Sequence, residues 1–189
     1  MKILVCSDTH HNSELFQKAV DFGISLDVTH LWHLGDDWDD TTKIDTYDLL
    51  VKQVPGLWHA NYHNPSISRI YSFDWGVFSS TMVHDISTIR PMYLTNSPWL
   101  FFHGHTHKPA IEAQNNSLTI NPGHLKKNFD RGYEATFLTI TLEPGNSTVT
   151  IEQCHPQSMT VLCTLVLTIG QNGWKKEHQS GEWHGDFNL

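Results

Sequence analysis

The chain of 189 residues contains 39% hydrophobic and 17% charged residues, the composition of a folded domain rather than of a disordered chain. It carries 20 acidic residues against 12 lysines and arginines, which gives a formal net charge of −8. This balance argues against a protein that grips long nucleic acid through its phosphates, because such a protein needs a basic face. Residues 124–127 and Arg131 form only a small basic patch.

Three further features of the composition narrow the classes of protein. No stretch approaches the roughly 20 apolar residues of a membrane span, and the apolar run at residues 2–6 is too short for a secretory signal, so we expect a cytoplasmic protein with no membrane contact. The three cysteines have no C-x-x-C spacing, which argues against a disulfide framework or a cysteine zinc site. The 14 histidines outnumber the lysines and arginines, and a surplus of imidazoles and carboxylates suits a metal site.

The first part of the chain alternates predicted strands and helices. An apolar run at 2–6 is typical of a buried strand, and a helix follows that Asn12 or Ser13 can cap and Gly23 ends. Residues 29–37 predict a second buried strand, and residues 43–53 predict a second helix.

The second part of the chain predicts strands and hairpins. The strand patterns lie at residues 67–73, 75–85, 98–105, 115–123, 133–153 (a hairpin that turns at 144–146) and 158–169. The polar segment 170–189 is predicted to be an irregular tail, which leaves one domain over residues 1–169. A strand and a helix at the front and hairpins at the back indicate an α/β sandwich with a mixed sheet.

Acidic residues and histidines follow four of the predicted strands. They are Asp8 and His10, then Asp36 and Asp37, then His84 and Asp85, then His103, His105 and His107. The carboxyl ends of strands are where open α/β sheets place their functional residues. If the backbone at 105–107 is extended, the rings of His105 and His107 point to the same side and can converge on one cluster of metal ions.

These clusters form an ordered set of motifs: "SDTH" at 7–10, "LGDD" at 34–37, "MVHD" at 82–85 and "HGHTH" at 103–107. The set resembles the calcineurin-like metallophosphoesterase superfamily, and "INPGH" at 120–124 resembles the I-N-P-G-S of its small bacterial and archaeal phosphodiesterase branch. The resemblance covers roughly residues 1–151. It implies a four-layer αββα sandwich with two mixed β-sheets and two metal ions at the sheet edge.

The resemblance also implies a role for each matching residue. Asp8, His10 and His107 would bind the first metal, Asp36 would bridge both metals, and His84 and His105 would bind the second. Carboxylates mixed with imidazoles suit divalent transition metals, with Mn expected first and Fe, Zn or Ni as alternatives. Two such ions activate a water to hydroxide, so we expect hydrolysis of a small-molecule phosphodiester or phosphomonoester.

The chain departs from the family pattern at residues 54–63. The family usually has G-N-H-D or G-N-C-D here, and its Asn ligates the second metal, but Leu57 follows Gly56 in this chain. His59, Asn61 and His63 are the candidates to replace it. We favour His59, either as a second-metal ligand or as an acid beside the leaving group. The alternative is that all three are loop residues and the second metal is weakly held.

The remaining polar residues near the motifs are expected to have supporting roles. His33 is predicted to pack within its strand, Asp39 and Asp40 to form a solvated acidic loop, and Asp37 or Asp85 to orient a ligand histidine. His11 and His103 are expected to line or support the site. Two functional alternatives stay open at this point: a non-catalytic metal-binding interaction module with the same fold, and a nuclease.

Overall fold

A computed structural model describes residues 1–89 and 97–189 of the chain. In chain order its helices and strands are β1 (Lys2–Cys6), α1 (Ser13–Ser25), β2 (His30–His33), a 3-10 helix (Trp38–Lys43), β3 (Leu50–Gln53), a second 3-10 helix (Ala60–His63), β4 (Ile70–Asp74), β5 (Ser79–Val83), β6 (Trp99–Phe102), β7 (Ala110–Gln114), β8 (Ser117–Asn121), β9 (Phe129–Asp130), β10 (Tyr133–Glu134), β11 (Phe137–Leu142), β12 (Thr148–His155), β13 (Thr160–Gly170), β14 (Gly173–Gly181) and β15 (Asp186–Asn188).

The described strands form two large mixed sheets. The first sheet has the order β14-β13-β12-β11-β1-β2-β3, and the second has the order β15-β7-β8-β6-β5-β4. β1 and β2 are parallel neighbours near one end of the first sheet, and β5 and β6 are parallel neighbours in the second. The carboxyl ends of these four strands carry the predicted metal ligands.

Apolar side chains from both sheets form the main core between them. Trp32 of β2 is buried, stacks on Phe73 of β4 with ring centroids 4.8 Å apart, and meets the edge of Phe102 of β6 at 5.4 Å. These contacts cross from one sheet to the other, and aromatic pairs of this kind add to the stabilisation from burial. The inner faces of the two sheets are therefore held together next to the strands that lead to the site.

Helix α1 covers the outer face of the first sheet. The side chain of Asn12 accepts a hydrogen bond from the N–H of Leu15, which caps the helix as the sequence predicts. Phe16 and Val20 are buried with Leu4 in the cluster beneath the helix. Over the second sheet, the described residues contain only a short 3-10 turn at 86–89. The predicted fold class of two mixed sheets is confirmed, with thinner helical layers than the resemblance implies.

The predicted helix at residues 43–53 is wrong. The segment begins with the end of a 3-10 helix and ends in β3, which pairs in parallel with β2. Between them, the carboxylate of Asp45 accepts the N–H of Tyr47 at 2.7 Å, and Tyr47 has a left-handed φ of +50°. This local turn competes with helix formation, as aspartate side chains commonly do.

The predicted irregular tail is also wrong. β14 pairs antiparallel with β13, and β15 pairs in parallel with β7, so the C-terminal residues extend both sheets. Residues 175–181 of β14 are exposed, and such a polar edge strand lacks the apolar alternation that predicts strands. Trp174 and Trp183, by contrast, are 7% and 8% exposed and anchor the segment. No helix within the described ranges has the length and apolar character needed to cross a lipid bilayer.

Trp174→Ala should destabilise the protein by about 3–5 kcal/mol, because it leaves a cavity where the indole packs on Phe78. Trp174→Phe should cost only about 1 kcal/mol, the loss of the hydrogen bond from the indole N–H to the carbonyl of Asn116. Urea unfolding measures both. The exposed neighbour Lys175→Ala is the control, with an expected change within about 0.5 kcal/mol. Equal effects of Trp174→Ala and Lys175→Ala would contradict a packed C-terminal segment.

Candidate metal centre

The site lies where the two sheets meet at the carboxyl ends of their strands. The N–H of Asp8, after β1, donates to the carbonyl of Gly35, after β2, at 3.2 Å. In the second sheet, the N–H of Gly104, after β6, donates to the carbonyl of His84, after β5, at 3.0 Å. The N–H of His105 then donates to the carboxylate of Asp8, at 3.0 Å to Oδ2 and 3.2 Å to Oδ1. All four predicted clusters are therefore brought together.

Five of the six residues that match the family's ligands have a left-handed backbone. The φ angles are +54° at Asp8, +46° at His10, +78° at Asp36, +69° at His105 and +63° at His107. The backbone at 105–107 is therefore not extended, and the condition under which the rings of His105 and His107 would share one side by strand alternation is not met. Left-handed φ is uncommon for residues other than glycine and clusters at functional sites, where surrounding contacts hold it in place.

The first group of candidate ligands contains Asp8, His10, Asp36 and His107. One donor atom from each lies within 4.8 Å of the others. The Nε2 atom of His10 lies 2.5 Å from Oδ2 of Asp36 and 3.1 Å from Nε2 of His107, and Nε2 of His107 lies 3.4 Å from Oδ1 of Asp8. Two carboxylates and two imidazoles that face one point are a donor set for a divalent transition metal.

A second group extends from the other side of Asp36. The Nε2 atom of His84 lies 3.5 Å from Oδ1 of Asp36, and the ring of His105 meets the ring of His84 with centroids 5.2 Å apart. The two carboxylate oxygens of Asp36 thus face different histidines, His10 and His84. This is the arrangement that a bridging carboxylate requires.

Hydrogen bonds at the Nδ1 atoms of His84 and His107 orient these two candidate ligands. The Nδ1 atom of His84 lies 2.9 Å from the carbonyl of Leu34 and donates to it, because a carbonyl only accepts. The Nδ1 atom of His107 lies 2.7 Å from Oδ2 of Asp130. In both rings the neutral form then presents the Nε2 lone pair to the site, as metal-binding histidines do.

The environment of the two carboxylates fits a bound cation. Burial, and next the negative charge of Asp36, raise the pKa of Asp8 to about 8. Burial would also raise the pKa of Asp36, but the hydrogen bond from His10 and the neighbouring histidines outweigh it and lower the pKa to about 2. The buried Nε2 of His84 has no hydrogen-bond partner among the described residues. Residues 8, 36 and 84 therefore supply crowded acceptors that a metal ion would satisfy.

The sequence reasoning missed Asp130 as a positioning residue. It lies in the short strand β9, just after the "INPGH" segment but outside every matching motif, so no pattern within the sequence pointed to it. Asp37 and Asp85, which were expected to orient a ligand, contact other groups: Asp37 lies 3.3 Å from His11, and Asp85 accepts bonds from Ser87.

Asp40 is buried, so the prediction of a solvated loop is wrong for this residue and holds for Asp39, whose side chain is 64% exposed. The carboxylate of Asp40 accepts the hydroxyl of Thr9 at 2.6 Å and the N–H of His11 at 2.9 Å, and it pairs with Lys43 at 2.8 Å. Asp40 therefore braces the loop between β1 and α1 that carries Asp8 and His10.

The predicted packing of His33 is confirmed. His33 is fully buried and packs on Phe16 with ring centroids 5.3 Å apart. His103, the first residue of "HGHTH", is buried, its Nδ1 lies 3.2 Å from the carbonyl of Gly104, and the amide of Asn121 donates to the same carbonyl at 2.9 Å. Asn121 belongs to the "INPGH" segment, so that segment braces the histidine loop from behind.

His59 lies outside the two groups described above. The N–H of Gly56 donates to the carbonyl of Asp36 at 3.2 Å, and the N–H of His59 donates to the carbonyl of Gly56 at 3.1 Å. The Nδ1 atom of His59 accepts the N–H of Asn61 at 3.2 Å, and its Nε2 lies 3.8 Å from Asp39. The segment is therefore tied to Asp36 through its backbone, and the role of the His59 ring stays a prediction.

Comparisons with known proteins point to one superfamily. A family model for the calcineurin-like phosphoesterase superfamily domain matches residues 1–145. Among solved structures, the phosphoesterase YfcE of E. coli has a TM-score of 0.60 at 15% identity, covering 87% of this chain and 98% of its own. An archaeal phosphodiesterase has a TM-score of 0.58 at 20% identity, covering 75% and 93%. Vps29 of Chaetomium thermophilum has a TM-score of 0.59 at 13% identity, covering 97% and 100%. A search of curated protein sequences finds no significant match.

Asp130→Ala should weaken metal binding about 10- to 100-fold, because His107 loses the partner that fixes its ring and its tautomer. Calorimetric titration of the metal-free protein with Mn measures the affinity. The exposed carboxylate variant Asp48→Ala is the matched control and should bind as the wild type does. Unchanged affinity in a folded Asp130→Ala protein would show that Asp130 does not position the ligand.

Proposed function

The chain belongs to the calcineurin-like phosphoesterase superfamily, and from this membership we propose that its metal centre hydrolyses phosphodiesters of small molecules. The observation that carries the proposal is the position of Asp36, whose two carboxylate oxygens face histidines of both groups, His10 and His84. Such an arrangement supports a pair of metal ions rather than a single one.

We assign the candidate ligands as follows. Asp8, His10 and His107 would hold the first ion, Asp36 would be shared, and His84 and His105 would hold the second. When bound, a pair of divalent cations supplies a hydroxide nucleophile at neutral pH and stabilises charge on the phosphoryl oxygens. The mixture of carboxylates and imidazoles suits Mn, and Fe, Zn and Ni are chemically compatible with it.

The surrounding residues keep these donors ready. Asp130 holds Nδ1 of His107, and the carbonyl of Leu34 holds Nδ1 of His84. In each ring this leaves the other nitrogen for the site. The N–H of His105 holds the carboxylate of Asp8 from behind. Because these partners fix the donors before any ion binds, little reorganisation is needed when it does.

The charges around the site favour a diester over a monoester. Lys127 pairs with Asp130 at 3.3 Å, and the guanidinium of Arg131 donates to the carbonyls of His105 and Thr106. These cations are engaged within the protein, whereas a monoester brings an additional negative charge to be neutralised. Lys126 is the remaining cation of that loop, and a monoester preference would point to it.

We propose that His59 acts as an acid beside the leaving group. Its Nδ1 accepts the N–H of Asn61, so in the neutral ring the proton lies on Nε2. The neutral ring does not release its Nε2 proton to an alkoxide, so the acid role requires the imidazolium form, in which Nδ1 is also protonated and the bond from the Asn61 N–H is lost. The position of His59 outside both groups of candidate ligands supports the acid role over ligation, and Asn61 is the alternative ligand for the second ion.

Two other functions are compatible with family membership. The structural similarity to Vps29 keeps open a metal-binding interaction module, because a likeness in fold does not establish catalysis. A nuclease is less well supported, because the net charge of −8 disfavours a long nucleic acid.

After reconstitution with Mn, the protein should contain about two ions per chain by elemental analysis and should hydrolyse bis-p-nitrophenyl phosphate with higher kcat/KM than p-nitrophenyl phosphate. Asp36→Asn should lower the activity by several orders of magnitude, because it weakens the shared ligand. Asp48→Asn removes an exposed carboxylate and should leave activity unchanged. Full metal content without hydrolysis of either ester would favour the interaction module.

His59→Ala should lower turnover of diesters with a poor, alkoxide leaving group about 10²- to 10⁴-fold, because general acid catalysis matters most there. Turnover of p-nitrophenyl esters and metal content should change little. Asn61→Ala is the comparison, and it should lose second-metal occupancy if Asn61 is the ligand. Loss of metal in His59→Ala would instead make His59 the ligand, and no change in either quantity would exclude both roles.

A further inference from the structure

A groove outside the metal centre is formed by the segment between the second 3-10 helix and β4. Residues 62–65 and 67–70 line it, and its volume is about 470 Å³. We call it the Arg69 groove. It combines the ring of Tyr62 and the cation of Arg69 with both polar and apolar side chains, so it suits a ligand that has an anionic group beside a less polar part.

A smaller cavity adjoins the Arg69 groove and reaches the end of β5, the strand that precedes the candidate ligand His84. It has a volume of about 180 Å³ and shares Tyr62, Arg69 and Ile70 with the groove. Its other walls include Val83 and Asp85, which flank the candidate ligand His84 in sequence. The cavity therefore places Arg69 beside Asp85, the residue that follows His84 of the second group of candidate ligands.

Arg69 has no anionic partner among the described residues. Its guanidinium lies over the ring of Tyr62, 5.1 Å from the centroid, and no described carboxylate lies within 4 Å of it. Asp85, the acidic residue that lines the smaller cavity, accepts hydrogen bonds from the N–H and the hydroxyl of Ser87. Arg131, in contrast, is engaged with two backbone carbonyls. Arg69 is thus a guanidinium held over a ring, with no hydrogen-bond or ion-pair partner for its donors within residues 1–89 and 97–189.

We propose that Arg69 binds a second phosphate group of the substrate, and that the substrate class is a phosphodiester whose alcohol carries a further phosphate. The inference rests on the proposed function, which places the reacting phosphate at the metal ions. A guanidinium matches a phosphate through paired N–H donors, and contact with the Tyr62 ring restricts the side chain before binding. Arg69 is then a residue that determines specificity without taking part in the bond cleavage.

Binding tests the proposal without any turnover. Titration calorimetry of the Mn-loaded protein compares thymidine 3′,5′-bisphosphate with thymidine 5′-monophosphate, which lacks the second phosphate. The wild type should bind the bisphosphate about 10- to 100-fold more tightly, the range for a charge-assisted hydrogen-bond pair. Arg69→Gln should abolish this preference, and Arg69→Lys should restore part of it.

The matched control is Lys52→Gln. Lys52 also lies over a tyrosine ring, 5.3 Å from the centroid of Tyr71, but it belongs to the edge strand β3 and does not line either cavity. This variant should keep the preference for the bisphosphate. Equal preferences in the wild type and Arg69→Gln, or no preference in the wild type, would overturn the proposal.

Kinetics separate this proposal from the proposed function. The substrates are the p-nitrophenyl ester of thymidine 5′-phosphate and the same ester with a 3′-phosphate, with bis-p-nitrophenyl phosphate as the reference. Arg69→Gln should reduce kcat/KM about 10- to 100-fold only for the ester with the 3′-phosphate. Hydrolysis of all three without an effect of Arg69 overturns the inference and leaves the function. Arg69-dependent binding without hydrolysis supports the inference and contradicts the function.

Discussion

The hydrogen bonds from the N–H of His105 to the carboxylate of Asp8 are the contact on which the site depends, because they join the two sheets at the metal centre. Gly104 makes this approach possible: a Cβ atom there would collide with the side chains of Ser7 and Asp8. With the contact in place, the strand ends of both sheets face each other, and ligands that lie far apart in the chain meet at Asp36. The shared core around Trp32 holds the sheets in that position.

The same contact has an energetic cost that a metal would offset. It buries Asp8 beside Asp36, and burial, followed by the negative charge of Asp36, raises the pKa of Asp8 to about 8, which disfavours the charged carboxylate in the absence of a metal. A divalent cation favours the charged form, so metal affinity should rise with pH as the donors lose their protons. The left-handed backbone at the ligands adds strain. Asp130 supports His107, and Asp40 supports the loop that carries Asp8. Both residues hold this arrangement in the absence of the ion.

The strand ends that carry the four motifs could be predicted from the sequence, because the motifs directly follow apolar runs, and the resemblance to the family supplied the six candidate ligands. The supporting residues could not be predicted. Asp130 lies outside the motifs, and nothing in "DDWDD" distinguishes the buried Asp40 from the exposed Asp39. The segments 43–53 and 170–189 were misassigned for a related reason: β3 and β14 are edge strands with exposed side chains, so pairing with a neighbour, rather than their own pattern, makes them strands.

The segment from Gly56 to Ile70 explains how recognition can vary independently of the metal centre. The N–H of Gly56 fixes its backbone to the carbonyl of Asp36. Only glycine fits at position 56, because a Cβ atom there would collide with the backbone of Asp36. Beyond that point the side chains bury little apolar surface, and Trp58 is 89% exposed. Substitutions at such positions change the stability little, so the segment is free to carry substrate contacts. The absence of the family's asparagine at Leu57 therefore changes a loop that is tethered at one end to the centre, without displacing the ligands on the strands.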